Sequence, residues 1–271
     1  SGTQRNLMVY MDTSAGLNEL LSSEAGRTQA VSEIVNEVTV SYRALGHNPY
    51  TGVTIDFEGL RSAQKASFTA FLTALQKELK TAGKSLSVCV FPTLTTGAYY
   101  DGYDYRAIGR LADKVILMAY NYQAMDLSGY LGTEYHKTAA VAPIDQIFAS
   151  LLDITDARTG VEDVSKVLLG VQFQSIAWKV DGNGKLLSGT PVYPDEETLA
   201  KRLGQSGTVT GWSQDYQCPY IRYTDENGDR WFAFYENGDS LRAKCQAAAL
   251  LGITGVSYWR LGTIPAERLG L

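Results

Sequence analysis

Short runs of apolar residues recur along the chain, and most of them are closed by a polar residue, a proline or a glycine. Five runs have the length of buried strands and cover residues 7–11, 86–91, 114–120, 166–173 and 255–259. A sixth segment, 52–58, alternates: Val53, Ile55 and Phe57 are apolar and the residues between them are polar. Apolar runs are typical of strands buried on both faces, and a period of two indicates a strand with one apolar face. The pattern therefore predicts six strands.

Helical spacing of apolar residues appears between these strands. It predicts helices over 27–45, with Gly46 as the stop, over 62–80, around 107–111 and over 144–152. A further helix is predicted to begin with Ser240 as its N-cap and to end at Gly252. Because strands and helices alternate, we expect a parallel sheet with right-handed crossovers.

The alternation is interrupted after Phe173, where about eighty residues pass before the last strand. Within this gap, segments 220–223 and 231–235 flank a turn that contains Asn227-Gly228, a strong hairpin signal. We therefore predict a catalytic β/α domain formed by residues 1–173 and 241–271. Residues 174–240 would form a small α+β insertion before the last strand.

The alternating strand carries the candidate chemistry. Its period of two places Asp56 and Glu58 on one face. Carboxyl groups about 6 to 7 Å apart along a strand raise each other's pKa, so that one can hold a proton at neutral pH while the other does not. An exposed acidic edge strand would show the same spacing. Gly59 and the predicted helix after it favour the functional reading, because parallel β/α units place active residues at the carboxyl ends of strands.

Composition narrows the classes of ligand. The 271 residues are 45% hydrophobic and carry a formal charge of −5, with no basic run. Nucleic acids and anionic membranes need a clustered positive surface, so a neutral or cationic ligand fits better. No apolar run approaches the roughly 20 residues that span a bilayer, and the first residues do not resemble a signal peptide, although one could lie upstream.

Cysteine and histidine give little support for a metal site. Cys89, Cys218 and Cys245 lack metal-type spacing, and the chain has only His47 and His136. We expect neither a metal nor a cofactor. Cys89 is interpreted as a small strand residue, and a disulfide between Cys218 and Cys245 stays open. A tyrosine-rich loop at 99–105 fits either sugar stacking or ordinary packing.

The motifs resemble those of glycoside hydrolase family 18, the chitinase-like barrels, and most of all its bacterial branch of spore-cortex and peptidoglycan N-acetylglucosaminidases. The family pattern D-x-x-D-x-D-x-E falls on Thr51, Thr54, Asp56 and Glu58, so its two downstream acids match. The family's M-x-Y matches Met118-Ala119-Tyr120, with Asn121 where an aspartate commonly follows, and its last-strand tryptophan matches Trp259. The resemblance extends from Asp12-Thr13-Ser14 to Trp259-Arg260-Leu261-Gly262.

The resemblance implies an α/β fold of the (β/α)8 barrel type, in which the run at 7–11 corresponds to the third strand. The first two strands would then precede residue 1, or the barrel would be a divergent one with fewer strands. The 174–240 segment is similar to the family's insertion.

The resemblance also implies a retaining mechanism in which the substrate's 2-acetamido oxygen acts as the nucleophile. Glu58 would be the general acid and then the general base, Asp56 would orient the acetamido group, and Tyr120 would hold its oxygen. Trp259 would form the floor under the sugar. The remaining substrate contacts are assigned to Met118, Asn121, Tyr122, Tyr10 and Gln174. With threonine at 54, Asp56 should ionise more easily than in a coupled aspartate pair, which would shift the pH profile.

The expected partner is a glycan containing N-acetylglucosamine, either chitin-type or peptidoglycan, handled by a monomer outside the cell or in the cell envelope. No nucleic-acid or membrane partner is expected. The alternative is a chitinase-like protein that binds glycans without cleaving them. Such proteins usually lack the acid glutamate, and Glu58 is present.

Overall fold

The computed structural model describes residues 3–93, 100–260 and 262. By their internal contacts these residues form two compact units. Within the described residues, the first unit comprises 3–93, 100–118, 150–169 and 251–255, and the second comprises 119–149, 170–250, 256–260 and 262. Of the sequence patterns above, Tyr99 and Leu261 lie outside the described residues.

The strands and helices alternate through the first part of the chain, as the hydrophobic pattern predicts. In chain order they are β1 (Asn6–Asp12), α1 (Leu17–Ser22), α2 (Glu24–Thr39), β2 (Gly52–Glu58), α3 (Lys65–Thr81), β3 (Ser85–Val90), α4 (Tyr105–Leu111), β4 (Lys114–Met118), α5 (Ile144–Ile154) and β5 (Val167–Gln172). The last strand, β10 (Gly255–Trp259), belongs to the same sheet, whose order is β1-β2-β3-β4-β5-β10. Strands β1 to β4 are parallel.

One face of these parallel strands packs on the helices of the first unit. Phe57 on β2 stacks on Phe71 of α3, with ring centroids 5.2 Å apart, and also approaches Phe68. The apolar side of α3 is fully buried or nearly so, as is that of α1; these side chains are Phe68, Phe71, Leu72, Leu75, Leu79, Leu17 and Leu21. The alternating pattern of β2 thus fixes which of its faces meets the helices.

A second, antiparallel sheet lies between residues 176 and 234, within the predicted 174–240 insertion. Its order is β6-β9-β8-β7, and its elements are β6 (Ile176–Val180), α6 (Glu196–Gly204), β7 (Val209–Ser213), β8 (Cys218–Thr224) and β9 (Arg230–Phe234). The hairpin of β8 and β9 is confirmed, and Gly228 at its turn has φ of 82°. The fold is thus α/β with one largely parallel and one antiparallel sheet. Closure of the first sheet into a barrel stays a prediction, as do the domain boundaries.

Several predicted helix ends are wrong; helix α2, for example, begins at Glu24 and not at residue 27. Helix α2 ends at Thr39 and not at Leu45, because the Asn48 side chain donates hydrogen bonds to the carbonyl oxygens of Glu37 and Val40, two carbonyls of the helix end. The last helix, α7 (Gly238–Leu250), is capped by Asn237 and not by Ser240. The Asn237 Oδ1 accepts hydrogen bonds from the Asp239 and Ser240 amides at 3.0 Å.

The cysteines are reduced. Cys89, Cys218 and Cys245 are all free thiols, so the disulfide left open between Cys218 and Cys245 is not formed in the structure.

Candidate active site

Asp56 and Glu58 share the face of β2 that points away from the helices. The intervening Phe57 packs on α3, and successive strand residues point to opposite faces. The register of β2 with β1 pairs Asp56 with Tyr10 and Glu58 with Asp12. These four side chains therefore lie on one face of two neighbouring strands.

Asp56 is almost completely buried, with 5% of its surface exposed. Burial raises the pKa of its carboxyl group, and a hydrogen bond with the Cys89 thiol of β3 offsets part of that rise. The Oδ1 atom is buried and has no hydrogen-bond partner among the described residues. An unpaired buried carboxylate oxygen is costly, so Asp56 presents an acceptor that a donor from a ligand would satisfy.

Glu58 is half-buried at the end of β2. Its pKa is raised to about 7, first by burial, then by the charge of Asp56 and then by that of Asp12. A carboxyl group with such a pKa carries a proton on part of the molecules at neutral pH and can give it up or take it back. This is the environment that a general acid requires.

Gly59 turns the chain directly after Glu58. It has φ of 76°, and a Cβ at this position would lie 2.6 Å from the Thr13 Oγ1. Only glycine therefore fits between the end of β2 and the turn that follows β1. This close approach keeps Glu58 beside Asp12.

Two tyrosines of the tyrosine-rich segment after β3 are hydrogen-bonded to the carboxyl ends of β2 and β3. The hydroxyl groups of Tyr103 and Tyr105 donate hydrogen bonds of 2.6 Å to the carbonyl oxygens of Phe57 and Phe91. Both tyrosines are buried, with 4% and 5% exposed. Of the two readings left open for this loop, packing holds for these two side chains.

In the second unit, polar side chains cluster around Gln172 at the end of β5. Its amide donates to the Oδ1 of Asn121 and, at 3.2 Å, to the Oε1 of Gln174. Asn121 has φ of 63°, a left-handed conformation that asparagine tolerates better than most residues. Tyr120 and Tyr122 on either side of it are half-buried.

The second unit also contains a cleft of about 670 Å³. Its walls include Gln172, Gln174, Tyr193, Trp259 and Arg260. Trp259 is 43% exposed, so its ring offers an apolar surface to solvent, and the Trp259–Arg260 peptide bond is cis. A cleft that combines an exposed tryptophan with amide side chains suits a sugar, which presents C–H groups on its faces and hydroxyls at its edges.

The predicted site residues thus fall into two sets. Tyr10, Asp56 and Glu58 come together in the first unit, and Gln174 and Trp259 line one cleft in the second. Met118 is buried at the end of β4, with 4% exposed. Whether all of them act on one ligand stays a prediction.

Three residues next to these side chains were not recognised from the sequence as part of the site. Asp12 was seen only as part of a polar loop, Cys89 only as a small strand residue, and Gln172 only as part of an apolar run. For Asp12 and Gln172 a signal existed, because each places a polar group at the carboxyl end of an apolar strand. For Cys89 none existed, since its role depends on the register between β2 and β3.

The structure offers neither a metal-binding cluster nor a membrane-spanning helix within its described residues. Within residues 3–93, 100–260 and 262, no three His, Cys, Asp or Glu side chains come together as they would around a metal ion. Over the same residues, every helix is too short or too polar to cross a bilayer.

Comparison with models of protein families shows which family the chain belongs to. The family model described as "Glycosyl hydrolases family 18" matches residues 10–263. The chain belongs to glycosyl hydrolase family 18. Family 18 membership confirms the resemblance inferred from Asp56, Glu58, Met118, Tyr120 and Trp259.

The chain is also similar to individual curated proteins. It is 26% identical over 256 residues to the cortical fragment-lytic enzyme of Bacillus subtilis (strain 168). The aligned region covers 90% of this chain and 54% of the relative. The chain therefore spans about half the length of the curated relatives that it matches.

Solved structures agree on the fold. A chitinase from Chromobacterium violaceum ATCC 12472 superposes with a TM-score of 0.75 at 19% identity, covering 98% of this chain and 78% of that one. A family 18 N-acetylglucosaminidase from Paenibacillus barengoltzii gives a TM-score of 0.70 at 22% identity, with coverage of 97% and 80%.

Proposed function

We propose that this protein is a glycosidase that cleaves β-1,4-linked N-acetylglucosamine glycans, of the chitin or peptidoglycan type, with Glu58 as general acid and base. The observation that carries the proposal is the half-buried Glu58, whose pKa is raised to about 7 beside the buried Asp56. Glycosidic cleavage needs a proton on the leaving oxygen near neutral pH, and Glu58 can supply it.

In the proposed reaction Glu58 protonates the glycosidic oxygen while the bond from that oxygen to the anomeric carbon breaks. The carbonyl oxygen of the sugar's own 2-acetamido group forms a bond to the same carbon from the opposite face, which inverts it, and the later attack of water inverts it again, so the reaction as a whole retains configuration. Glu58, now a carboxylate, then takes a proton from water as that water attacks the anomeric carbon and displaces the acetamido oxygen. No second carboxylate needs to act as the nucleophile, as in the substrate-assisted exceptions among glycosidases.

Asp56 would act on the acetamido group. Its Oδ1 is buried without a partner among the described residues, and the acetamido N–H is a donor of the right kind. A hydrogen bond there would satisfy the carboxylate and turn the acetamido oxygen towards the anomeric carbon. Tyr120 would hold that oxygen through its hydroxyl group.

The remaining contacts concern the sugar ring and its neighbours. Trp259 would stack under the sugar at the point of cleavage, and Gln174, from the same cleft, would bind hydroxyl groups. Asn121 and Tyr122 beside Tyr120, Met118 at the end of β4, and the 53% exposed Tyr10 would complete the binding surface.

The names of the relatives guide the choice of substrate and location. They include a cortical fragment-lytic enzyme, a chitinase and an N-acetylglucosaminidase. A glycan of the cell envelope, met by a protein that acts there or outside the cell, fits these names.

The test is incubation of the protein with chito-oligosaccharides and, separately, with purified peptidoglycan, followed by measurement of new reducing ends. We expect the wild type to release reducing ends from at least one of them. Glu58→Gln should lower kcat/KM about 100-fold or more, since general acid–base catalysis contributes roughly 10² to 10⁴. Glu33→Gln, on the exposed side of α2, is the matched control and should leave the rate unchanged.

One result of this experiment would contradict the proposal. Binding of either glycan without cleavage, with the same affinity in wild type and Glu58→Gln, would indicate the glycan-binding alternative.

A further inference from the structure

Asp12 lies at the end of β1, directly opposite Glu58 in the register of the two parallel strands. The polar turn Asp12-Thr13-Ser14 was noted in the sequence but given no role. Thr13 of this turn also lies against Gly59, the residue after Glu58. The turn after β1 and the end of β2 are therefore packed together.

The Asp12 carboxylate is fixed by hydrogen bonds on both oxygens. Oδ1 accepts from the Ser14 amide at 2.8 Å and from the Ser14 hydroxyl at 2.5 Å, and Oδ2 accepts from the Tyr10 hydroxyl at 3.0 Å. These donors hold the pKa of Asp12 below its usual range. Asp12 is therefore an anion at any pH at which Glu58 titrates.

Among the described residues of the first unit, the other titratable groups that interact with Glu58 are Tyr10 on β1, Asp56 on β2, Cys89 on β3 and Tyr103 in the loop after β3. The pKa of Tyr10 is raised to about 12, and the pKa values of Cys89 and Tyr103 are raised as well, so these three are neutral near pH 7. The pKa of Asp56 is also raised, by burial. Asp12 is thus the carboxylate in this group whose charge is most firmly established.

The motif on β2 lacks one acidic side chain of the family pattern. The family pattern carries an aspartate where this chain has Thr54, which is neutral. Thr54 lies nearer the amino end of β2 than Asp56, and its hydroxyl accepts a hydrogen bond of 3.3 Å from the Asn6 side-chain amide. Position 54 therefore contributes no negative charge beside Asp56 and Glu58.

We propose that Asp12 is a positioning residue for the reaction proposed above: held by Tyr10 and Ser14, it supplies beside Glu58 the fixed negative charge that Thr54 does not. The inference rests on the proposed function, because it assigns Asp12 an effect on the acid of that reaction. It predicts the direction of a pH effect. A nearby anion disfavours ionisation of Glu58, so its loss lets Glu58 give up its proton at lower pH.

The test compares pH profiles of kcat/KM, which report the free enzyme. In Asp12→Asn the amide keeps an oxygen for Ser14 and loses the charge. We expect the alkaline limb to move to lower pH by about half a unit, so that kcat/KM on that limb is about 3-fold lower than in the wild type. The shift should shrink at about 1 M salt, because Asp12 is partly exposed and screened.

Asp163→Asn is the matched control. Asp163 accepts the same pair of hydrogen bonds, from the Ser165 amide at 3.1 Å and the Ser165 hydroxyl at 2.6 Å, and lies in the same unit. It precedes β5, at the amino end of a strand, whereas Glu58 ends β2. Its substitution should leave the alkaline limb where it is.

A second readout separates this inference from the proposed function. NMR titration of the Glu58 carboxyl carbon, assigned by difference with Glu58→Gln, measures its pKa without any substrate. A lower value in Asp12→Asn supports the inference even if no glycan is cleaved. Equal values in Asp12→Asn and the wild type would overturn it, whether or not the protein is a hydrolase.

Discussion

At the scale of single residues, the site depends on what surrounds two ordinary carboxyl groups. Asp56 and Glu58 are two positions apart on β2, yet one is nearly enclosed and the other half-exposed. The partner of Asp56 on β3 is a thiol, which is a weaker hydrogen-bond donor than a hydroxyl group. Burial therefore outweighs the hydrogen bond, and the pKa of Asp56 is raised. Replacement of this one donor should therefore change the pKa of Asp56.

Substitutions of Cys89 test how far its hydrogen bond lowers the pKa of Asp56. Cys89→Ser provides a stronger donor, favours ionised Asp56 and should move the acidic limb of kcat/KM to lower pH. Cys89→Ala removes the donor and should move the same limb to higher pH. Cys245→Ser, a free cysteine of the other unit, should change neither limb. Shifts of both Cys89 variants in one direction would show that the thiol does not act through Asp56.

His136 leads to a prediction about stability. It is fully buried in the second unit, its ring lies edge-on to Phe232 at 5.0 Å, and neither ring nitrogen has a hydrogen-bond partner among the described residues. Burial lowers its pKa to about 4. Because the unfolded chain binds the proton near pH 6.5 and the folded chain does not, the free energy of unfolding should fall as pH drops from about 6.5 towards 4.

The loss should reach up to about 3 kcal/mol. Urea unfolding at a series of pH values measures it. In His136→Leu this part of the pH dependence should disappear, whereas in the exposed His47→Gln it should persist. An unchanged slope in His136→Leu would assign the pH dependence to other groups.

At the scale of elements, the hydrophobic pattern predicted the strands around the site well. The bounds of β2 and β10 agree with the sequence, and those of β1, β3 and β5 are within one residue. Strands β6 and β7 and helices α1 and α6 were missed. β6 carries Lys179 among its apolar residues, paired there with Asp229, and β7 is an exposed strand with Gly211 at its centre. Their structure depends on cross-strand partners that a local pattern does not contain.

Lys244 of helix α7 forms an ion pair with Glu236, which precedes the helix, and no local pattern predicted it. Lys244 and Glu236 form a hydrogen-bonded pair with 3% and 6% of their side chains exposed. Removal of one partner from such a pair leaves a buried charge behind, so Lys244→Met should destabilise the protein by about 3–5 kcal/mol. Thermal or urea unfolding measures this change.

The same helix offers a matched control. Arg242 pairs with Asp239, and both side chains are about two-thirds exposed, at 65% and 67%. Arg242→Met should cost less than about 1 kcal/mol. If the two variants are equally stable, the Lys244–Glu236 pair is solvated in solution and contributes little.

At the scale of the whole molecule, the sequence predicted the family and the α/β class, because the acid pair, Met118-Ala119-Tyr120 and Trp259 recur at family positions. It could not predict the environment of the acids. That environment depends on the strand register that sets Asp12 beside Glu58, and on the burial that leaves one oxygen of Asp56 without a partner. These are properties of three strands together, and no single segment encodes them.

The net charge of the protein predicts how salt changes its KM for neutral and for anionic substrates. At −5, with a pI near 5.2, the protein repels anionic polymers at neutral pH. For a neutral chito-oligosaccharide, KM should therefore change little between low salt and about 0.5 M salt. For carboxymethyl-chitin, an anionic polymer with the same backbone, KM should be higher at low salt and fall as salt screens the repulsion. A KM for the anionic polymer that rises with salt would instead reveal local attraction by basic residues, such as Arg260 in the cleft, that outweighs the net charge.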